Sequence, residues 1–186
     1  MVTERSGLKL PNDGIERVIL IDEGKIAQRV KSLADEISQD YRDKNPVLVG
    51  ILKGSFVFLA DLTRELDPDL QAEVDFMEIS SYGSGQESSR EPKIAKDIST
   101  EIQGRHVIVV EDIVDTGYSF DTLLAIIRAR KPASLKTCAL VSKPSRREVE
   151  VPIDYLGFEI ENVWVEGYGM DTDQKNRDLP NIVYRK

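Results

Sequence analysis

Apolar residues recur in two rhythms, one helical and one continuous. Ile26, Val30, Leu33, Ile37 and Tyr41 fall at three- and four-residue steps after Asp22, which predicts an amphipathic helix capped by Asp22 and ending near Tyr41. Before it lies the short apolar run Val18 to Ile21. Pro46 then opens Val47 to Leu52, an unbroken apolar stretch. A strand that does not alternate is buried on both faces, as in parallel sheets. From Ser55 the rhythm turns helical again through Phe58, Leu59, Leu62 and Leu66, and it stops at Asp67-Pro68 because the residue before proline is pushed out of the α region.

The same alternation continues downstream. Val74 to Ser80 reads as a strand, and Ser81 to Pro92 holds too little apolar matter to pack, so it reads as a long mobile loop. Lys93 to Ile98 reads as a short strand, and His106 to Val110 is the clearest buried strand of the chain. A helix is expected from about Phe120 to Arg130, with Phe120, Leu123, Leu124 and Ile127 as its stripe and Gly117 or Ser119 at its start. Leu135 to Val141 is the next strand; Tyr155 to Phe158, Val163 to Val165 and Ile182 to Tyr184 are short late ones. The pattern predicts an α/β fold: a mostly parallel sheet flanked by helices, in one domain over residues 1–186, with a core over about 20–145. A small β-rich hood is expected from about 1–20 and 146–186, and a lid loop over about 81–93.

Composition narrows the class. A chain of 186 residues with 40% hydrophobic content can bury a sizeable core without staples, and no apolar run approaches the roughly 20 residues of a membrane helix. The net charge of −8 disfavours a nucleic-acid or anionic-membrane surface. Cys138 is alone and cannot form an internal disulfide, and the first residues lack the layout of a secretory signal. A cytoplasmic location is expected. His106 is the sole histidine, at a strand start, which supports neither a histidine triad nor a histidine metal cluster. Arg146 and Arg147 read as solvated, or as facing a neighbouring subunit.

In open parallel sheets ligands bind beyond the carboxyl ends of strands. The central strand is followed by Glu111-Asp112-Ile113-Val114-Asp115-Thr116-Gly117-Tyr118-Ser119. The turn from Thr116 to Ser119 offers backbone N–H groups, two hydroxyls and a helix N-terminus, a combination suited to phosphate. Three carboxylates just upstream would repel that anion unless they face ribose hydroxyls or Mg2+. The pairing implies a sugar phosphate. Any one of these residues alone is equally a solvated acid or an ordinary helix cap.

The stretch Val107 to Gly117 resembles the phosphoribosyl-pyrophosphate (PRPP) signature of the type I phosphoribosyltransferases. Leu52-Lys53-Gly54-Ser55, Ser80-Ser81-Tyr82-Gly83, Ser142-Lys143-Pro144 and Trp164 through Asp171 with Arg177 extend the resemblance to the hypoxanthine-guanine branch, from about Val18 to the end. The resemblance implies transfer of ribose 5-phosphate from PRPP to hypoxanthine or guanine, giving IMP or GMP plus pyrophosphate with Mg2+, in purine salvage. It also implies the type I phosphoribosyltransferase fold and association into a dimer or tetramer.

By the same resemblance Lys53 and Gly54 form the pyrophosphate loop, where relatives often carry a cis peptide. Glu111 and Asp112 meet the ribose hydroxyls directly or through Mg2+. Thr116, Gly117, Tyr118 and Ser119 hold the 5-phosphate, with Ile113 and Val114 in the same binding run. Asp115 is the catalytic acid/base toward the purine ring. Lys143 donates to the 6-oxo group, which favours 6-oxopurines over adenine. Trp164 stacks on the base where the family more often has phenylalanine or tyrosine, Val165 meets the purine edge, and Asp171 helps hold a second Mg2+ through water. Arg177 contacts pyrophosphate, and Ser81-Tyr82 meet it when the lid closes. Trp164 alone reads equally as a core residue, and Glu166 stands where many relatives carry an apolar one.

A xanthine-preferring enzyme is the nearest alternative. A phosphoribosyltransferase-like regulator sensing PRPP or a nucleotide and binding RNA or DNA is another, disfavoured by the acidic balance and the full purine pocket. A phosphoacceptor receiver domain leaves Thr116-Gly117-x-Ser119 without a purpose.

Overall fold

In the computed structural model, which describes residues 11, 13–80 and 93–186, the helical stripe beginning at Ile26 forms α1 (Glu23–Asp40) after strand β1 (Arg17–Ile21). Asp22 caps α1, its carboxylate accepting from the Lys25 amide. β2 (Val47–Leu52) is buried almost throughout, and α2 (Phe56–Glu65) ends where Leu66 turns extended (ψ 149°) ahead of Asp67-Pro68. β3 (Glu73–Ser80) and β4 (Lys93–Lys96) follow; the loop expected between them, with its lid role, lies at residues 81–92, outside the described residues.

β5 is longer than the apolar run predicts. It spans His106–Val114, so Glu111 and Asp112 lie within the strand and not beyond it. The cause is pairing on one side only. β2 accompanies β5 from Val47↔Val107 to Gly50↔Val110 and then leaves, whereas β6 (Ser134–Ser142) continues beside it as far as Val114↔Ser142. Polar residues are tolerated on a strand end whose other flank is open. α3 (Tyr118–Arg128) starts two residues earlier than expected, with Gly117 at its cap.

The main sheet has six strands in the order β4-β3-β2-β5-β6-β7, all parallel except β4, where β7 is Tyr155–Glu159. The late strand at Tyr155 therefore closes one edge of this sheet. A separate antiparallel sheet joins both chain ends: β1, β9 (Ile182–Arg185) and β8 (Val165–Glu166). Alternate side chains of β5 feed two cores. Ile108 and Val110 pack under α1 and α2 with Cys138 and Leu140, and Val107 and Val109 pack under α3 with Leu123, Leu124 and Ile127. Val165, Tyr168, Met170 and Ile182 join the first core, which seats the small sheet over the carboxyl end of the large one.

Candidate active site

Because β2 departs at Gly50, the flank of Glu111 and Asp112 faces the turn at Lys53 and Gly54 that leads into α2. A side chain at Gly54 would collide with the Asp112 carboxylate, so the bare backbone allows this acid to lie against the loop. The Leu52–Lys53 peptide is cis. Burial and the neighbouring Asp112 carboxylate push Glu111 well above the usual carboxylate range. Neither acid is ion-paired among the described residues. The donor set is thus two adjacent carboxylates short of positive charge, which suits a hard divalent cation.

At the end of β5 the chain turns tightly. The Thr116 carbonyl accepts from the amides of Glu148 (2.9 Å) and Val149 (3.0 Å), and Lys143 N–H donates to the Val114 carbonyl (3.0 Å). Gly117 has φ +96°, and a side chain there would strike the Val149 carbonyl. No side chain caps α3, so its first amides are available to an anion. Residues 111–117 with Ser119, Phe120 and Leu123, together with Ile51 and Ile79, line a cavity of about 310 Å³.

A second cavity of about 180 Å³ shares Asp112, Ile113 and Asp115 with the first and adds Lys143, Trp164, Val165, Met170 and Asp171. Lys143 is buried, its Nζ 3.7 Å from Asp115 Oδ2, while Arg146 Nε donates to Asp115 Oδ1 at 3.1 Å. Arg146 is exposed, as expected, while also reaching Asp115; the expectation that Arg147 is solvated is corrected, since Arg147 is half-buried and donates to Ser142 Oγ at 2.8 Å. Trp164 is 62% exposed at the mouth of this cavity, which excludes a core role. Val165 is buried on β8.

The structure does not gather every expected residue. Arg177 lines neither cavity; it pairs with Asp171 at 2.6 Å and donates to the Gly169 carbonyl at 2.7 Å. Asp171 also accepts from the Gln174 amide (2.7 Å). Lys53 lines neither cavity, although Gly54 beside it touches Asp112. Tyr118 is exposed at the start of α3. Ser81 and Tyr82 lie outside the described residues. Glu166 is fully buried away from the cavities and binds Arg17, Arg185 and Asn176, a cluster that nothing local in the sequence announces.

The geometry is that of two joined cavities, one lined by a phosphate-type turn and acids, the other by an aromatic ring, a lysine and an aspartate. Comparison with known proteins agrees. The phosphoribosyl transferase domain model matches residues 19–173. The hypoxanthine phosphoribosyltransferase of Haemophilus influenzae is 45% identical over 167 residues, covering 88% of this chain and 92% of the relative. The hypoxanthine-guanine phosphoribosyltransferase of Bacillus subtilis is 42% identical over 168 residues, 90% and 92% of the two chains. A crystal structure of a hypoxanthine-guanine phosphoribosyltransferase from Bacillus anthracis superposes with a TM-score of 0.84 at 41% identity, over 91% of this chain and 98% of that one. Sequence and fold agree, and the chain belongs to the phosphoribosyl transferase family, in its hypoxanthine-guanine branch.

Proposed function

We propose that the enzyme transfers the 5-phosphoribosyl group of PRPP to hypoxanthine or guanine in purine salvage, giving IMP or GMP and pyrophosphate. The observation that carries this is the pair of cavities meeting at Asp112, Ile113 and Asp115, which suits two substrates joined at one carbon. In this reading the turn Thr116 to Ser119 binds the 5-phosphate through amides and hydroxyls. Glu111 and Asp112 hold the ribose hydroxyls, and they fit Mg2+ because they are adjacent and lack a cationic partner among the described residues. When bound, Mg2+ supplies positive charge beside the pyrophosphate leaving group. Asp171 keeps a lone pair on each oxygen after its bonds to Arg177 and Gln174 and is assigned to a second Mg2+ through water.

The base enters between Trp164 and the wall of Ile113 and Val165, with Lys143 donating to its 6-oxo group. Asp115, at the junction, exchanges a proton with the purine ring as the bond to ribose forms. Lys53 and Arg177 are assigned to pyrophosphate. Orientation of the two substrates and electrostatic support for the leaving group carry the rate. A second acceptor, xanthine, is favoured by one observation: a structural neighbour with a TM-score of 0.83 at 42% identity, over 94% of this chain and 99% of that one, is a hypoxanthine-guanine-xanthine phosphoribosyltransferase. Association into a homodimer or tetramer and a cytoplasmic location belong to the same proposal. No described helix is long and apolar enough to cross a membrane.

The test is pyrophosphate release from PRPP and Mg2+ with hypoxanthine, guanine, xanthine, adenine or uracil, alongside Asp115→Asn. Turnover is expected with 6-oxopurines only, and the variant should lose about 10²- to 10⁴-fold. If every base is inert while PRPP or a nucleotide still binds, the regulator reading replaces this one.

A further inference from the structure

Trp164 presents most of its ring to solvent at the cavity mouth, yet its single polar atom is not free: indole Nε1 donates to Thr172 Oγ1 at 2.7 Å. Thr172 is itself buried and held by its own backbone, which pairs with Lys175 in both directions at 3.2 and 3.1 Å. The indole N–H occupies a lone pair of the Thr172 oxygen, so the ring is held through an acceptor whose position the backbone fixes. The ring at the pocket is thereby tied to the turn that carries Thr172.

We propose that Thr172 is a positioning residue whose hydroxyl, held in place by the backbone pairing with Lys175, fixes the plane of the Trp164 ring for stacking on the purine base. The inference rests on the reading of Trp164 as the base-stacking residue. An exposed ring free to turn about its side-chain torsions must be ordered each time the base binds; a ring already fixed avoids that cost. The effect belongs to base binding and not to the chemical step, so it enters KM for the base and spares kcat. A phenyl ring has no N–H and could not be held in this way, so the device is specific to an indole at this position.

The experiment uses the full chain as wild type, Thr172→Val, Thr172→Ser, Trp164→Phe and the double variant Trp164→Phe/Thr172→Val. Trp164 is the only tryptophan, so fluorescence anisotropy decay of the free enzyme reports this ring without substrate. Thr172→Val should increase ring mobility and raise KM for hypoxanthine about fivefold, the weight of one hydrogen bond. Its kcat and KM for PRPP should stay within about twofold of wild type. Thr172→Ser should restore both readouts, and on the Trp164→Phe background Thr172→Val should change KM for the base by less than about twofold. Should the valine variant fail to fold, Thr172→Ala gives the same readouts. Unchanged anisotropy and unchanged base KM overturn the proposal, as does a rise in KM that persists without the indole. Equal losses in kcat and in KM for PRPP overturn it in favour of general structural damage. A mobile ring with unchanged base KM, and no quenching of Trp164 by IMP, overturns instead the stacking reading beneath it.

Discussion

Lys143 carries an ammonium into a buried position with Asp115 Oδ2 no nearer than 3.7 Å. A charge taken from water and only loosely paired is costly, and it is retained where a ligand acceptor completes it. The 6-oxo oxygen of a purine does so with a charge-assisted hydrogen bond worth about 1.5–3 kcal/mol, so Lys143→Met should raise KM for hypoxanthine at least about tenfold. KM for PRPP should not move. Initial rates with each substrate varied in turn check this, and an equal rise in both constants would assign Lys143 to the fold. Lys143 and Asp115 were legible because each stands at a strand end with a type of chemistry its position needs. Arg146 was not legible: it reaches Asp115 only because the amides of Glu148 and Val149 close on the Thr116 carbonyl, a long-range pairing that leaves no local signal.

The small sheet draws its strands from the two ends of the chain, and its centre is charged. Arg17 and Glu166 have fully buried side chains and meet across 149 residues of sequence, with Asp13 and Arg185 completing the cluster. Burial alone would push the Glu166 carboxyl up, but hydrogen bonds from Arg17, Arg185 and Asn176 outweigh it and hold it at about 2, below the ordinary value of 4.5. Removing that one charge leaves Arg17 with Asp13 as its carboxylate partner and takes from Arg185 the carboxylate it pairs with, so Glu166→Gln should lower unfolding stability by about 2–3 kcal/mol. A group with a depressed folded-state pKa stabilises fully above its unfolded value and loses that contribution as pH falls through the folded one. Urea unfolding should therefore show the same gap between wild type and variant at about pH 7 and about pH 5, and a narrower gap near about pH 3. A gap that holds to the lowest pH would assign the loss to packing. Elements were more legible than their partners. Asp22 and Pro68 mark helix ends by rules that act within four residues, whereas the extension of β5 to Val114 depends on β6 staying after β2 has left, and apolar periodicity carries no record of that.

Cys138 sits in β6 with no exposed surface, opposite Val110 of β5 and Tyr155 of β7, in the core shared by α1, α2 and the small sheet. Burial drives its thiol far above the ordinary range, and only the thiolate reacts with disulfide reagents. Reaction therefore requires both layers over this face to open. The core around Cys138 includes Val165, Met170 and Ile182 of the small sheet with Ile26 and Leu48 of the large unit, so loosening one unit uncovers apolar surface of the other. They should open together. The proposed site lies between them, and a ligand that binds only the closed form lowers the open population by one plus the ratio of its concentration to Kd. IMP at about a hundred times its Kd should accordingly slow labelling of Cys138 by about a hundredfold under native conditions. Labelling that ignores IMP would mean the thiol is reached by a local opening of β6 and β7, with the small sheet and the site still in place. The single cysteine thus distinguishes a molecule that opens as one unit from one that opens by parts.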